Sequence, residues 1–530
     1  MNLRDSLLAA LSTLPGTRHF HVHVLVTAPR KHATLYPYAT PRPRIYVQDY
    51  LVLLSEQPTL ENPRVLVSAV EACLYHAPAT SAAILYISKV DSTGQGISPS
   101  PTASLVTAFA RWHIDPATRP VPAQHLWLHL FARAQGQYLF PNSIEYEGKR
   151  ALSDVKLCAW WRRLLGSVAG DVQGTLGPAG KVRLYYLLPG CNELEAHQAL
   201  GLAYAPADAI NAPAWNYGHP YSQTDIPLPC SPPEGHANLG HFIPSFDDDP
   251  KNRFMDEIAL IGESDGVRSP ARKRPRVTRQ TGPAADSEAE GGHAGKDQAE
   301  VTEKEHEKFQ KDTKDTRPKG ELSTVQPDEF WERMSFRQEC VSGAVTGFFT
   351  AGFSSPFPPH STSKPSPLAP QPGQVPAAMN KRILSSLMQG NEFSTVDRAR
   401  KSTEVLEGAI RGLCEGLATH PLPSRGAAPT LHTQAEDGVL VPPRTPPRKP
   451  NTLPSLENVS PNPFDEPEAT LETYHAHIYG SVSVSNPPLA SKNLSPGTTG
   501  DHPSDSTKAQ KPKVNVLAVR KKKKRTETES

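Results

Sequence analysis

Between Asp265 and Val325 large apolar side chains almost vanish, and charged, Ser- and Gly-rich sequence takes their place. Such a stretch cannot bury enough surface to offset the entropy of ordering it, so it is expected to be a disordered insertion. Whatever core the chain forms must therefore be assembled from separated pieces. The 55 prolines among 530 residues, about twice ordinary usage, point the same way: the folded portion is smaller than the length suggests.

Before the insertion, apolar runs alternate with short turns. Val65 to Tyr75 and Ala83 to Ser88 read as strands, Thr102 to His113 as a helix, and Val182 to Leu188 as another strand before Pro189-Gly190. Ser153 is placed to cap a helix whose Leu157, Trp160, Trp161, Leu164 and Leu165 recur three or four apart. Leu3, Leu7, Leu8, Leu11 and Leu14 mark an amphipathic helix at the start, too short and too interrupted for a signal peptide. The expected class is α/β, a central mixed sheet surrounded by helices. After the insertion, Phe330, Trp331, Met334, Val341, Ala344, Val345 and Phe348 trace a helical face. Met379 to Met388 and Ser394 to Leu417 read as a helical pair, the second opened by a capping-box-like Ser394-Thr395-Val396-Asp397.

These shifts set the expected organisation. The main α/β body covers residues 1–264 and the charged disordered insertion 265–325. A core helix over 326–353 and a Pro/Ser-rich loop over 354–376 follow. C-terminal helices packing on the body occupy 377–418, and a disordered tail with a basic import signal occupies 419–530. Six cysteines without a CxxC pair favour a reducing compartment and indicate neither a zinc ribbon nor a disulfide scaffold. A net charge of +2 predicts no global attraction to nucleic acid or membrane, and no run approaches the ~20 apolar residues that span a bilayer, so a soluble protein is expected.

Three motifs carry chemistry. Phe246-Asp247-Asp248-Asp249-Pro250-Lys251-Asn252-Arg253-Phe254 sets three carboxylates beside two bases and between two aromatics. On its own this reads as a solvated acidic turn, but the surrounding excess of acids suits a basic substrate. Phe131 to Ser143, followed by Lys149-Arg150-Ala151-Leu152 and Trp160-Trp161, crowds aromatics near bases. Core filling is the ordinary use of such aromatics; a cofactor with phosphates and an acyl arm would use Lys149 or Arg150 on phosphate and the aromatics as walls. Ser88 to Gly94 leaves a strand and leads, through Pro99 and Pro101, into a helix start able to hold a pyrophosphate, a feature many empty loops share. His19, His21 and His23 alternate on one strand face, better explained by exposure than by a metal.

Taken together, Ile87-Ser88-Lys89-Val90-Asp91, Gln137-Tyr138-Leu139-Phe140-Pro141, Trp160-Trp161, Phe246 to Phe254, and Phe330-Trp331 followed by Arg337-Gln338-Glu339 resemble a known family. It is the fungal histone H3 lysine acetyltransferases called regulator of Ty transposition, related in fold to CBP-type acetyltransferases. The resemblance implies an acetyltransferase core that uses acetyl-CoA as co-substrate and no metal. It places the cofactor against Val90, Asp91, Ser92, Ile97, Ser98, Pro99, Ser100, Pro101, Phe131, Gln135, Arg150, Ala151, Leu152 and Trp160. Asp249 matches the catalytic aspartate; Asp248, Tyr138 and Trp161 match other residues at the reaction centre, and Lys251 a lysine that the family autoacetylates. Departures fall in the longer loop between Gly94 and Pro101, at Gln135, and at His241-Phe242-Ile243-Pro244.

The implied partners are histone H3 with H4 and histone chaperones, in chromatin assembly and the DNA-damage response, with neither membrane nor sequence-specific nucleic acid. Lys521, Lys522, Lys523, Lys524 and Arg525 form a basic run suited to a nuclear-import receptor, with Arg272 to Arg276 as a second candidate, so a nuclear protein is expected. No cysteine lies in the matching motifs, which favours direct transfer to lysine over a covalent acyl-enzyme. The alternative is a noncatalytic nuclear adaptor that holds histones through the acidic cluster. A metal-dependent nuclease built on Asp249-Pro250-Lys251 is disfavoured by Pro250 in what would be a central strand.

Overall fold

In the strand Ile45–Gln57, Tyr50, Val52 and Leu54 join one apolar cluster while Leu51 and Leu53 join another. Side chains that alternate across a strand and are buried on both sides require helices on both faces of the sheet. The computed structural model describes residues 1–201, 213–230, 232, 237–261, 320–337, 344–356, 366–416 and 462–488. In chain order the elements are α1 (Leu3–Leu11), β1 (Gly16–Val26), β2 (Arg30–His32), β3 (Ile45–Gln57), β4 (Val65–Ala77), β5 (Ala82–Ser92) and α2 (Thr102–Ile114). Then come β6 (His125–Ala132), α3 (Asp154–Gln173), β7 (Lys181–Leu187), α4 (Glu193–Ala199), β8 (Trp215–Tyr217), α5 (Leu239–Phe242) and α6 (Pro250–Leu260). The last are α7 (Pro327–Met334), β9 (Gly347–Ser354), α8 (Ala377–Gln389), α9 (Val396–Cys414) and β10 (Tyr479–Asn486).

These strands form one mixed sheet in the order β10-β1-β3-β4-β5-β6-β9-β7-β8, with β2 pairing β3. Only β5–β6 and β7–β8 are parallel among these pairs. Parallel neighbours need a crossover, and α2 supplies it between β5 and β6. α1, α2 and α3 cover one face through Leu7, Leu11, Phe109 and Val168. α8 and α9 cover the other through Ile383, Leu387, Leu406 and Ile410. α6 and α7 build a third cluster around Met255, Ile258, Phe330 and Met334.

Two expectations are corrected. Among the described residues of the expected core helix over 326–353, only Pro327–Met334 is helical, and Gly347–Ser354 is the strand β9, inserted between β6 and β7. Every residue of β9 is buried, so no apolar–polar alternation betrays its period. A Cβ at Gly352 would stand 2.7 Å from the Trp127 ring, which explains a glycine in the middle of this strand. The tail expected to be disordered over 419–530 contains β10, antiparallel to β1 from His23↔Tyr479 to Gly16↔Asn486. Val482 and Val484 pack toward the core between outward serines, a short period-2 pattern within Pro- and Ser-rich surroundings. His19, His21 and His23 consequently meet Ser483, Tyr479 and Tyr474 of this segment, at 2.7, 3.0 and 3.2 Å. Leu417 and both basic runs lie outside the described residues.

Candidate active site

β5 and β6 run parallel only as far as Ile87↔Leu130. Beyond that point β5 continues to Ser92 along β4, whereas β6 continues to Ala132 along β9. The two strands therefore part at their carboxyl ends, where open α/β sheets hold ligands. A cleft of about 540 Å³ occupies the split, lined by Ser88 to Ser92 on one side and Leu130 to Gln135 on the other. The start of α2, through Thr102 and Ala103, closes one end. Pro101 at the cap position has no polar side chain to bond the helix start, and of its N–H groups Ser100 Oγ accepts only that of Thr102, at 3.4 Å, so the N–H groups that follow in the first turn remain available to an anion.

Val90, Asp91, Ser92, Ser98, Ser100, Phe131, Gln135, Arg150, Ala151, Leu152 and Trp160 all line the cleft, as do Tyr138 and Trp161. Ile97, Pro99 and Pro101 do not. Along this segment Gly94, Gly96, Ser98, Ser100 and Thr102 line the cleft and the residues between them do not. The carbonyls of Ile97 and Pro99 point instead at the buried Arg18.

Asp91 lines the cleft, but its carboxylate is fully engaged. Oδ2 accepts the N–H groups of Tyr138, Leu139 and Phe140 at 2.7, 2.8 and 3.1 Å. Oδ1 accepts Ser92 N–H at 2.8 Å and Lys149 Nζ at 2.9 Å. Asp91 thus fixes the aromatic loop, and Lys149, which also donates to Ser143 Oγ at 2.7 Å, is spent on the same task. The base that reaches the cleft from solvent is Arg150, joined by Arg133. Gly94 adopts φ +77°, and a Cβ there would lie 2.5 Å from Lys149 Cα, so the two sides of this clamp touch through backbone.

Trp160 and Trp161 meet edge to face with centroids 4.7 Å apart. Trp161 is buried, and burial pushes the Tyr138 hydroxyl up to about 12, with Asp91 adding to the shift. Cys158, buried on α3, does not line the cleft, and burial raises its thiol to about 12. A thiol held protonated is a poor nucleophile.

The acidic cluster is anchored by its flanking aromatics. Phe246 stacks on Tyr86 of β5 at 4.0 Å, and Phe254 packs on Phe330 at 5.0 Å. Asp249 caps α6, with Pro250 at the first helical position. Its Oδ1 accepts Lys251 N–H at 2.9 Å and its Oδ2 pairs with Lys251 Nζ. Both side chains are buried, and desolvation lowers the Lys251 pKa against the pull of Asp249. The Lys251 ammonium also stands 4.6 Å from the Phe348 ring, which packs on Phe131 of the cleft wall at 4.7 Å. Asp248 turns outward and bonds Lys89 Nζ at 3.0 Å, while Lys89 also holds Glu71 at 2.9 Å. Lys89 lines the cleft, so it joins the cofactor-shaped space to the acidic cluster. Neither Lys89 nor Arg133 was assigned from sequence, although both lie inside the motifs singled out there.

A model of the histone acetyltransferase KAT11-type domain matches residues 110–408, more than half of the chain. A histone acetyltransferase rtt109 of Aspergillus flavus is 27% identical over 314 residues, covering 54% of this chain and 45% of that protein. One of Schizosaccharomyces pombe is 25% identical over 297 residues, covering 55% of this chain and 58% of that protein. The aligned part thus spans about half the length of these curated relatives. The crystal structure of Rtt109 from Aspergillus fumigatus is similar with a TM-score of 0.55 at 22% identity, covering 78% of this chain and 96% of that one. At that identity the likeness speaks for the fold.

Proposed function

The chain belongs to the KAT11-type histone acetyltransferase family, and we propose that it transfers an acetyl group from acetyl-CoA to a lysine of histone H3. The observation that carries this reading is the cleft at the β5–β6 split, with a helix start at one end and a buried aspartate–lysine pair behind its wall. Its volume falls within the range of small-molecule and cofactor sites, roughly 300–1,000 Å³.

The residues fit such a ligand. The start of α2 and the exposed Arg150 and Arg133 would hold phosphates. Leu130, Phe131, Tyr138, Trp160 and Trp161 offer an apolar wall to an acyl arm. Acetyl-CoA, when bound, supplies an acetyl group activated as a thioester. The substrate lysine must arrive without its proton, and at an unperturbed pKa near 10.4 only about one amine in a thousand is neutral near pH 7. Burial against Trp161 and Tyr138 favours the neutral amine. Asp248, with its side chain 62% exposed, meets the incoming ammonium, and Asp249 takes the proton directly or through water. Because Asp249 Oδ2 faces the Lys251 ammonium, acetylation of Lys251 removes that charge and leaves the oxygen to accept a proton.

Histone H3 in complex with H4, a histone chaperone that presents it, and a role in chromatin assembly and the DNA-damage response complete the proposal, supported by the resemblance of the motifs. So does a nuclear location directed by Lys521 to Arg525. The test is transfer of labelled acetyl from acetyl-CoA to H3–H4 with a chaperone, comparing the chain with Asp249→Asn and counting acetyl groups on Lys251 by mass spectrometry. Loss of transfer in the folded variant is expected. Full activity in Asp249→Asn overturns the assigned role, and a wild-type chain that neither binds acetyl-CoA nor transfers acetyl favours a histone-binding adaptor.

A further inference from the structure

The segment that carries Gly96, Ser98 and Ser100 past the cleft is held from behind by Arg18, whose side chain has no exposure to solvent. Arg18 Nη1 donates to the carbonyls of Ile97 and Pro99, each at 3.0 Å, and to Glu56 Oε1 at 3.2 Å. Glu56 Oε2 accepts the N–H of Ile97 at 3.1 Å. The pair therefore grips residue 97 by both of its backbone polar groups. This segment belongs to no strand, so its conformation depends on such side-chain contacts. A buried ion pair adds little net stability against an apolar replacement, so what this one contributes is backbone geometry.

Arg18 is held in turn. Its Nε and Nη2 donate to the carbonyl of Pro15 at 3.0 and 2.6 Å. The turn before it is stapled by Asn486, the last residue of β10, whose Nδ2 donates to the carbonyls of Ser12 and Leu14 at 2.8 Å each. A continuous path of short hydrogen bonds and two covalently adjacent residues thus runs from the C-terminal strand to the cleft loop.

We propose that Arg18 is a positioning residue for cofactor binding and that the C-terminal strand, through Asn486, sets Arg18, so that docking of residues 462–488 completes the cofactor loop. The proposal rests on the acetyl-CoA reading of the cleft for its functional consequence, while the mechanical link stands on the hydrogen bonds alone.

Two variants of the full chain test it. Asn486→Ala removes the staple at a half-buried edge, and Arg18→Lys keeps the charge but, with one ammonium in place of three nitrogens, cannot hold the Pro15 carbonyl and the loop carbonyls of Ile97 and Pro99 together. Hydrogen exchange of the peptide covering residues 94–101 is expected to quicken in both. The KM for acetyl-CoA is expected to rise roughly tenfold, the scale of a lost charge-assisted hydrogen bond, with kcat within about twofold of wild type. A general loss of stability would instead quicken exchange throughout the sheet and lower the unfolding midpoint. Wild-type exchange in residues 94–101 of Asn486→Ala overturns the link even if Arg18→Lys fails to fold. Faster exchange with unchanged KM overturns the positioning role. If calorimetry detects no acetyl-CoA binding by the wild type, the reading of the cleft fails, and the exchange measurement still decides the link.

Discussion

Replacing Asp91 by Asn exchanges one carboxylate oxygen for an NH2 group that cannot accept. The amide has two ways to sit. With nitrogen at the Oδ2 position it faces three N–H groups, from Tyr138, Leu139 and Phe140, and loses three bonds. With nitrogen at the Oδ1 position it loses the Ser92 N–H bond and the Lys149 bond, and sets a donor against an ammonium. The second costs less. A bond to a charged group contributes about 1.5–3 kcal/mol and a neutral one about 1, so the expected loss is roughly 3 kcal/mol. Solvent offers little relief, since both side chains of the Asp91–Lys149 pair are 5% exposed. Urea unfolding of the folded chain reads the loss directly. Adding Lys149→Met should recover part of it by removing the unpaired ammonium, with a coupling in a double-mutant cycle of at least about 1 kcal/mol. Stability of Asp91→Asn within about 0.5 kcal/mol of wild type would show that the carboxylate does not fix the Tyr138 loop.

Burial lowers the His23 pKa to about 4, so the folded chain keeps this ring neutral at pH 5 while an unfolded chain, near 6.5, protonates it. The stability it contributes is present above about pH 6.5 and lost as pH falls toward 4, about 2 kcal/mol between pH 7 and pH 5 for one such group. Urea midpoints at the two pH values should therefore shift less in His23→Gln, and an equal shift in both proteins would refute the assignment. Gly94→Ala should cost about 1–3 kcal/mol, because φ +77° and a contact 2.5 Å from Lys149 Cα both penalise a side chain. Gly170→Ala, in α3 with open space at its Cβ position, serves as a control expected to be neutral or stabilising, and equal effects at the two sites would reject the steric argument.

Elements with one apolar face announce themselves. α2 and α3 bury residues three and four apart, and β4 and β5 stand where apolar runs meet turn residues, so their positions follow from period alone. Strand β9 gave no such signal because Phe348 faces one cluster and Phe349 and Phe353 another, leaving no polar face to set the phase. Strand β10 failed for the opposite reason. As an edge strand it needs only two inward valines, too few to outweigh the prolines and serines around them. The cleft residues on β5, β6 and α3 were readable from motifs, but the direction each faces was not: Lys149 and Arg150 are neighbours of like charge, and Asp91 claims only the first. Asn486 and Arg18 are separated by most of the chain, and no local pattern ties them together.

The same limit applies within a single motif. Asp248 and Asp249 are adjacent in sequence, yet one side chain is 62% exposed and the other 1%. The difference comes from helix initiation. Pro250 takes the first helical position, where its missing N–H costs nothing, and this makes Asp249 the cap whose carboxylate folds back onto Lys251 N–H. The residue before the cap is then free of the helix and turns toward Lys89 on β5. Once α6 starts at Pro250, the two carboxylates cannot exchange environments without unwinding its first turn. Their proposed division of labour, Asp248 meeting a charged substrate and Asp249 holding a proton out of solvent, therefore follows from where a helix begins rather than from the acidity of the run.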